Sequence, residues 1–360
     1  MTLDAVGGVW RYALDTARTL GAHGVDCVLV GLGPPPSPHQ RAEVAALERV
    51  ELVWIDCPLD WMLDNETPLH AISAHLARIA DDTQVNLLHL NALSLAAGFK
   101  GCIPLAVASH SCVVTWWRAM RQGPLPDNWK WQFSRNRCGL ETAALVLAPS
   151  RSHADAIRTA YGVPTPIQVV HNATPGTQGR PEKKPFVFSA ARWWDEAKNG
   201  ALVDAVAGMI RWPLAIAGNL EGPNGQRFEP THAVAMGPLS ALQMRRLMAK
   251  GMVFIGPSRY EPFGLAVLEA ASAGSALVLS DIPTFRELWQ DVAVFCAPDD
   301  ALAFAVAIER LMTDRRLRRR LGECARRRAR QFSLEQHVQQ LLQAYSEMLT
   351  KVTAAPAYAA

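Results

Sequence analysis

The chain has 360 residues, more than one hydrophobic core usually spans, so two domains are expected. Its 49% hydrophobic and 19% charged residues are those of a folded globular protein, and a net charge of +3 is too small to argue by itself for a nucleic-acid partner. No apolar stretch approaches membrane-spanning length and no leader pattern opens the chain, which reads as a cytoplasmic protein; the seven cysteines, odd in number and without a C-x-x-C pair, argue against a disulfide framework or structural zinc and read as buried hydrophobes for nearly all of them.

Along the chain, only Met1 to Ala5 precede the Gly7-Gly8 pair. That is too short for a central strand of about five or six residues plus a turn, so either the first strand is shortened or the start given lies inside the natural one. Trp10, Leu14, Ala17 and Leu20 then follow at helical spacing. Strand-like apolar runs come at 25–32, 50–55, 85–90, 105–109, 145–148 and 167–170, and again at 186–190, 214–217, 234–236, 253–255, 276–279 and 292–295. Helical patterns alternate with them, the sequence form of parallel sheets wrapped by helices. Two groups of similar size predict an α/β protein of two doubly wound domains, 1–173 and 186–335. A polar Gly- and Pro-rich linker, 174–185, lies between, and a final helix and tail occupy 336–360. Open α/β sheets bind ligands beyond the carboxyl ends of their strands, so two such domains facing each other would form a cleft.

In the first domain His110 stands at the end of the run 105–109, on the side where such a sheet binds ligands, although a lone histidine there is more often structural. In the second, Arg192 and Lys198 follow the first strand at its carboxyl end; a planar guanidinium and a compact ammonium can together balance phosphate charge without a metal. Further on, Glu261 and Glu269 bracket Phe263-Gly264-Leu265, where Pro262 and Gly264 mark the turn from the strand 251–256 into a helix over 265–273. Backbone N–H groups at that helix start offer an anion site, and two carboxylates beside it suit sugar hydroxyls better than phosphate. The run 315–330 spaces Leu317, Leu321 and Ala325 four apart amid arginines, a helix with one apolar stripe and a basic face that reads as solvated.

These segments resemble a known family. Glu261 and Glu269 with Phe263-Gly264-Leu265 between them are similar to the E-x7-E signature of the retaining glycosyltransferases of family 4, which have the GT-B fold. The segment 191–199 is similar to the family's Arg and Lys pair, 270–288 continues like its C-terminal half, and Asp4 to Trp10 resembles its glycine-rich first loop. The resemblance implies a retaining transfer from a nucleoside-diphosphate sugar, on uridine or guanosine, to a small-molecule, glycan or lipid-linked acceptor. No metal or other cofactor and no nucleic acid are implied, and membrane contact is the less favoured reading. Glu269 would take the ribose hydroxyls, Glu261 the transferred sugar, the backbone at Phe263, Gly264 and Leu265 the diphosphate, and His110 the donor sugar near the acceptor. Gly7 and Gly8 would admit donor or acceptor close to the backbone, and the base would be read near 236–239. Trp116, Trp117, Trp129 and Trp131 form an acceptor candidate with Arg118 and Arg121, ordinary packing being the equal alternative. Asn172, before the linker, suits a hinge. An epimerase of the same fold, or a binding module built on the basic helix, are the competing readings.

Overall fold

The computed structural model describes residues 1–354 apart from 178, 180 and 181. In chain order the strands are β1 Thr2–Asp4, β2 Cys27–Leu32, β3 Val50–Trp54, β4 Leu88–Leu90, β5 Leu105–Ala108, β6 Leu145–Ala148, β7 Ile167–Val169, β8 Lys184–Ala190, β9 Leu214–Ala217, β10 Val234–Ala235, β11 Gly251–Gly256, β12 Ala276–Ser280 and β13 Ala293–Cys296. The α-helices are α1 Gly8–Ala22, α2 Pro38–Ala45, α3 Ile72–Thr83, α4 Val113–Met120, α5 Lys130–Thr142, α6 Arg151–Tyr161, α7 Gly200–Met209, α8 Ala241–Lys250, α9 Leu265–Ser272, α10 Pro283–Trp289, α11 Ala301–Thr313, α12 Arg315–Ala329 and α13 Leu334–Ala354. The chain divides into two compact units, one of Met1–Asn172 with the segment from Leu334 onward, the other of Ala173–Ser333.

The first unit carries two parallel sheets, ordered β1-β2-β3 and β4-β5-β6-β7. Strand β1 has three residues and pairs with β2 from Thr2 opposite Val30 to Asp4 opposite Leu32. It has no ladder to β4. Side-chain bonds from Asn91, just past β4, take the ladder's place: its N–H donates to Thr2 Oγ1 at 2.8 Å and its Nδ2 to the Thr2 carbonyl at 2.6 Å. Helix α13 belongs to this unit, burying Val338, Leu341, Tyr345 and Met348 along one face at helical spacing.

The second unit is one parallel sheet of six strands, ordered β10-β9-β8-β11-β12-β13. Counted from β8, that is 3-2-1-4-5-6, the doubly wound order, and its switch point lies between β8 and β11. The ladder begins at Lys184, which pairs with Gly251, so β8 extends into the segment expected to be linker. Backbone pairing needs no apolar side chain, which is why hydrophobicity missed those two residues. On α12 the stripe Leu317, Leu321 and Ala325 does face the core, and Gly322 lets the helix approach so closely that a Cβ there would collide with the Gly274 carbonyl.

The cysteines depart from expectation: Cys27, Cys57 and Cys296 are buried, but Cys102 and Cys138 are exposed and Cys112 and Cys324 half-buried. Apolar sequence neighbours do not report which face of an element a residue takes. Among the described residues no helix is long and apolar enough to cross a membrane.

Candidate active site

Two loops meet at the switch point of the second unit. After β8 the chain turns through Ala191–Asn199, anchored by buried Trp193, whose N–H and Nε1 donate to the Asn219 carbonyl at 2.9 Å and the Ala217 carbonyl at 2.8 Å. Asp195 caps the short helical turn 196–198 by accepting from the Ala197 N–H at 3.0 Å. Asn199 adopts a left-handed conformation, φ 59°, and its Nδ2 donates to the carbonyls of Pro257 at 3.2 Å and Pro298 at 2.8 Å, tying this loop to those after β11 and β13. Arg259 N–H completes the seam on the Ala197 carbonyl at 2.9 Å.

That seam brings Lys198 to Glu261. Lys198 Nζ lies 2.7 Å from Glu261 Oε2, with side-chain exposures of 13% and 18%, so the pair is shielded from the screening that weakens surface ion pairs. Arg192 lies in the same loop, 3.1 Å from Asp195 Oδ2 and with its guanidinium 5.3 Å from the Trp194 ring centre. Gly264 is the N-cap of α9 at φ 93°, a conformation that favours glycine. A Cβ there would stand 3.0 Å from Phe285 and 3.4 Å from Glu261. Phe263 is buried against Phe332 at 5.8 Å, so its side chain anchors the turn while the backbone leads into the helix. Leu265 and Glu269 are half-buried on α9. The structure therefore joins Lys198 and Glu261 directly, keeps Arg192 in the adjoining loop, and mounts Phe263 to Glu269 on the α9 start.

His110 in the first unit sits in a buried polar network. Asn91 Oδ1 is 3.0 Å from His89 Nε2 and 2.9 Å from His110 Nε2. Because the Asn91 amide nitrogen is committed to the Thr2 carbonyl, its oxygen faces both rings, and each histidine must donate from Nε2. His89 Nδ1 is then the acceptor for the Tyr345 hydroxyl at 2.5 Å. His110 Nδ1 is left as the acceptor nitrogen of a neutral ring. Burial, with His153 and His337 nearby, pushes the His110 pKa down to about 3, and burial likewise pushes His89 to about 3 and His153 and His337 to about 4. Tyr12 packs edge-on to His110 at 4.3 Å. His89, Asn91 and Tyr345 did not stand out in the sequence, though the polar His89 and Asn91 interrupt an otherwise apolar run.

Gly7 is the N-cap of α1 in extended backbone, φ −139°, so its backbone angle does not demand glycine. Asp4 Oδ1 holds the loop by accepting from the N–H groups of Val6 at 2.8 Å and Gly7 at 3.0 Å, and Gly8 opens the helix. Of the tryptophans, Trp117 and Trp129 pack edge to face at 5.4 Å, and Arg121 lies over Trp116 at 5.2 Å. Trp131 is half-buried and packs against the hydrophobic core, as Leu125 and Phe133 do. Arg118 donates to the Thr159 carbonyl at 2.8 Å. Asn172, the expected hinge, is buried as the last residue of its stretch of the first unit.

Comparison with known proteins bears on the family and the fold. The family model described as Glycosyltransferase Family 4 matches residues 6–175, and that described as Glycosyl transferases group 1 matches 172–328. A glycogen synthase of Mycobacterium tuberculosis is 36% identical over 95 residues, 26% of this chain and 23% of that protein. The O-antigen chain mannosyltransferase B of Escherichia coli is 27% identical over 161 residues, 45% of this chain and 37% of that protein. The matched stretch thus spans well under half the length of these curated relatives. Among solved structures, the sucrose-phosphate synthase of Thermosynechococcus elongatus superposes with a TM-score of 0.76 at 18% identity, covering 97% of this chain and 99% of that one. HepE of Anabaena, in complex with UDP-glucose, superposes at 0.73 with 17% identity, covering 96% and 99%. These likenesses assign the GT-B fold.

Proposed function

The chain belongs to the family 4, group 1 type of glycosyltransferases, its two halves matched in turn by the two family models, and from that premise we propose that it transfers a sugar from a nucleoside-diphosphate sugar to an acceptor hydroxyl with retention of anomeric configuration. The observation that carries the reading is the Lys198–Glu261 pair at the switch point beside the α9 start. In the reaction the bond from the sugar's anomeric carbon to the β-phosphate oxygen breaks, and the acceptor oxygen bonds to that carbon from the same face. The acceptor's proton passes to the departing diphosphate. Charge grows on that leaving group, and Lys198 and Arg192 stabilise it as fixed cations, a role that needs no metal ion or other cofactor. The backbone from Phe263 to Leu265 adds N–H donors at a helix start. Glu261 holds hydroxyls of the transferred sugar, Glu269 holds the ribose, and His110 offers Nδ1 as an acceptor to a sugar hydroxyl. Gly8 lets the backbone approach the donor sugar closely, and Gly7 the acceptor.

UDP-glucose leads the donors to be tested, because HepE was solved with it; GDP-mannose follows, because a Xanthomonas oryzae relative, 28% identical over 178 residues, is named for that donor. Thermal-shift measurements against uridine, guanosine and adenosine diphosphates and their sugars identify the base, since a ligand bound only by the folded state raises its stability. Release of labelled sugar from the donor so identified then tests the reaction. Glu269→Ala is expected to abolish that turnover with the fold intact by circular dichroism, and turnover equal to the parent protein would overturn the reading.

A further inference from the structure

We propose that the pocket between α4 and α5 of the first unit seats an amphiphilic acceptor bearing a phosphate group, the phosphate lying on Arg118, Arg121 and Lys130 and the apolar body on Trp117, Leu125 and Phe133. This rests on the transferase reading above for the word acceptor; the pocket itself does not. The cavity holds about 560 Å³, and its lining residues include three cations and no acid. Its volume admits an apolar chain or ring beside the charged group, and its lining supplies both cations and apolar side chains.

The cations are held in ways that suit an anion. The Arg121 guanidinium lies over the Trp116 and Trp117 rings at 5.2 and 5.9 Å and donates from Nη1 to the Met120 carbonyl at 3.0 Å, which fixes its plane. Arg118 spends Nη1 on the Thr159 carbonyl, one of the five N–H donors that a guanidinium carries. Lys130 meets Asp127 at 2.6 Å, but that carboxylate is 91% exposed and does not line the cavity, so the pair yields readily to a phosphate. The Trp117 ring belongs to the same wall, while its Nε1 is buried behind it without a hydrogen-bond partner among the described residues. Phe133, stacked on Tyr161 at 5.3 Å, gives the apolar side a rigid floor.

The pocket runs along α4, from Val114 in its first turn to Arg121 just past its end. A phosphorylated soluble glycan and a lipid headgroup both offer this chemistry.

The test measures quenching of tryptophan fluorescence by n-octyl phosphate, with inorganic phosphate and octyl glucoside as probes of the anion alone and the apolar body alone. Octyl phosphate is expected to bind at least ten-fold tighter than either, to weaken as salt rises, and to lose at least ten-fold in Arg121→Ala and in Arg118→Gln, each checked for folding by circular dichroism. Equal affinity for octyl phosphate and octyl glucoside, or affinity unchanged in both folded variants, would overturn the proposal. Sedimentation with phosphatidylcholine vesicles containing one-fifth phosphatidylglycerol assigns the phosphate to a lipid headgroup. Binding of octyl phosphate without sedimentation assigns it to a soluble acceptor. No donor is present in these measurements, so the pocket can fail while donor turnover stands, or stand while Glu269→Ala defeats the transferase reading.

Discussion

Lys198 Nζ contacts Glu261 Oε2 at 2.7 Å across a sequence separation of 63 residues. The contact follows from strand order: β8 and β11 are hydrogen-bonded neighbours, so the loops leaving their carboxyl ends emerge side by side. Asn199 and Arg259 then stitch those loops together through backbone carbonyls.

Because the pair joins a cation assigned to the diphosphate with a carboxylate assigned to the sugar, loss of either is expected to act on one step. Lys198→Ala and Glu261→Gln should each lower kcat/KM for the donor by about 10²–10³-fold, the cost of removing one electrostatic stabiliser. The double variant should lose less than the product of the two, as expected for residues in direct contact. Steady-state donor turnover checks this, and strictly multiplicative losses would show the two acting independently.

Gly264→Ala should destabilise the second unit. A left-handed φ of 93° costs a residue with a Cβ about 1–2 kcal/mol, and that atom would press on Phe285 at 3.0 Å. Urea unfolding reads the loss, and an unchanged midpoint would mean that the turn before α9 adapts without strain.

Asn91→Leu should strand the Nε2 donors of His89 and His110 in a buried site, at about 1–3 kcal/mol for each orphaned group. The same change frees His110 to move its proton to Nδ1. Nitrogen-15 spectra of labelled histidine should show His110 protonated on Nε2 in the parent protein and a tautomer mixture in the variant. A parent ring protonated on Nδ1 would contradict the assigned network.

The first unit should lose stability in mild acid. His89, His110, His153 and His337 have native pKa values of about 3 to 4, below the unfolded value of about 6.5. Between those values the unfolded chain binds more protons, so stability is complete above about pH 6.5 and falls as pH drops, by about 1.4 kcal/mol per pH unit for each histidine. The urea midpoint of the transition that reports on this unit should therefore decline from pH 7.5 to pH 5. A constant midpoint would show that these rings take up protons in the folded state.

The amino-acid sequence by itself determined the alternation of strands and helices, the turn at Pro262 and Gly264, and the candidate pair of glutamates, because each is written in spacing within a few residues: apolar runs, helical periodicity and the backbone demands of glycine and proline. Tertiary structure alone decided that Lys198 meets Glu261 and that Asn91 orders His89 and His110 with Tyr345 of α13 behind them. Those relationships depend on which strands become neighbours and on where the last helix docks. Both are settled by burial and pairing between distant segments, and local pattern carries no record of them.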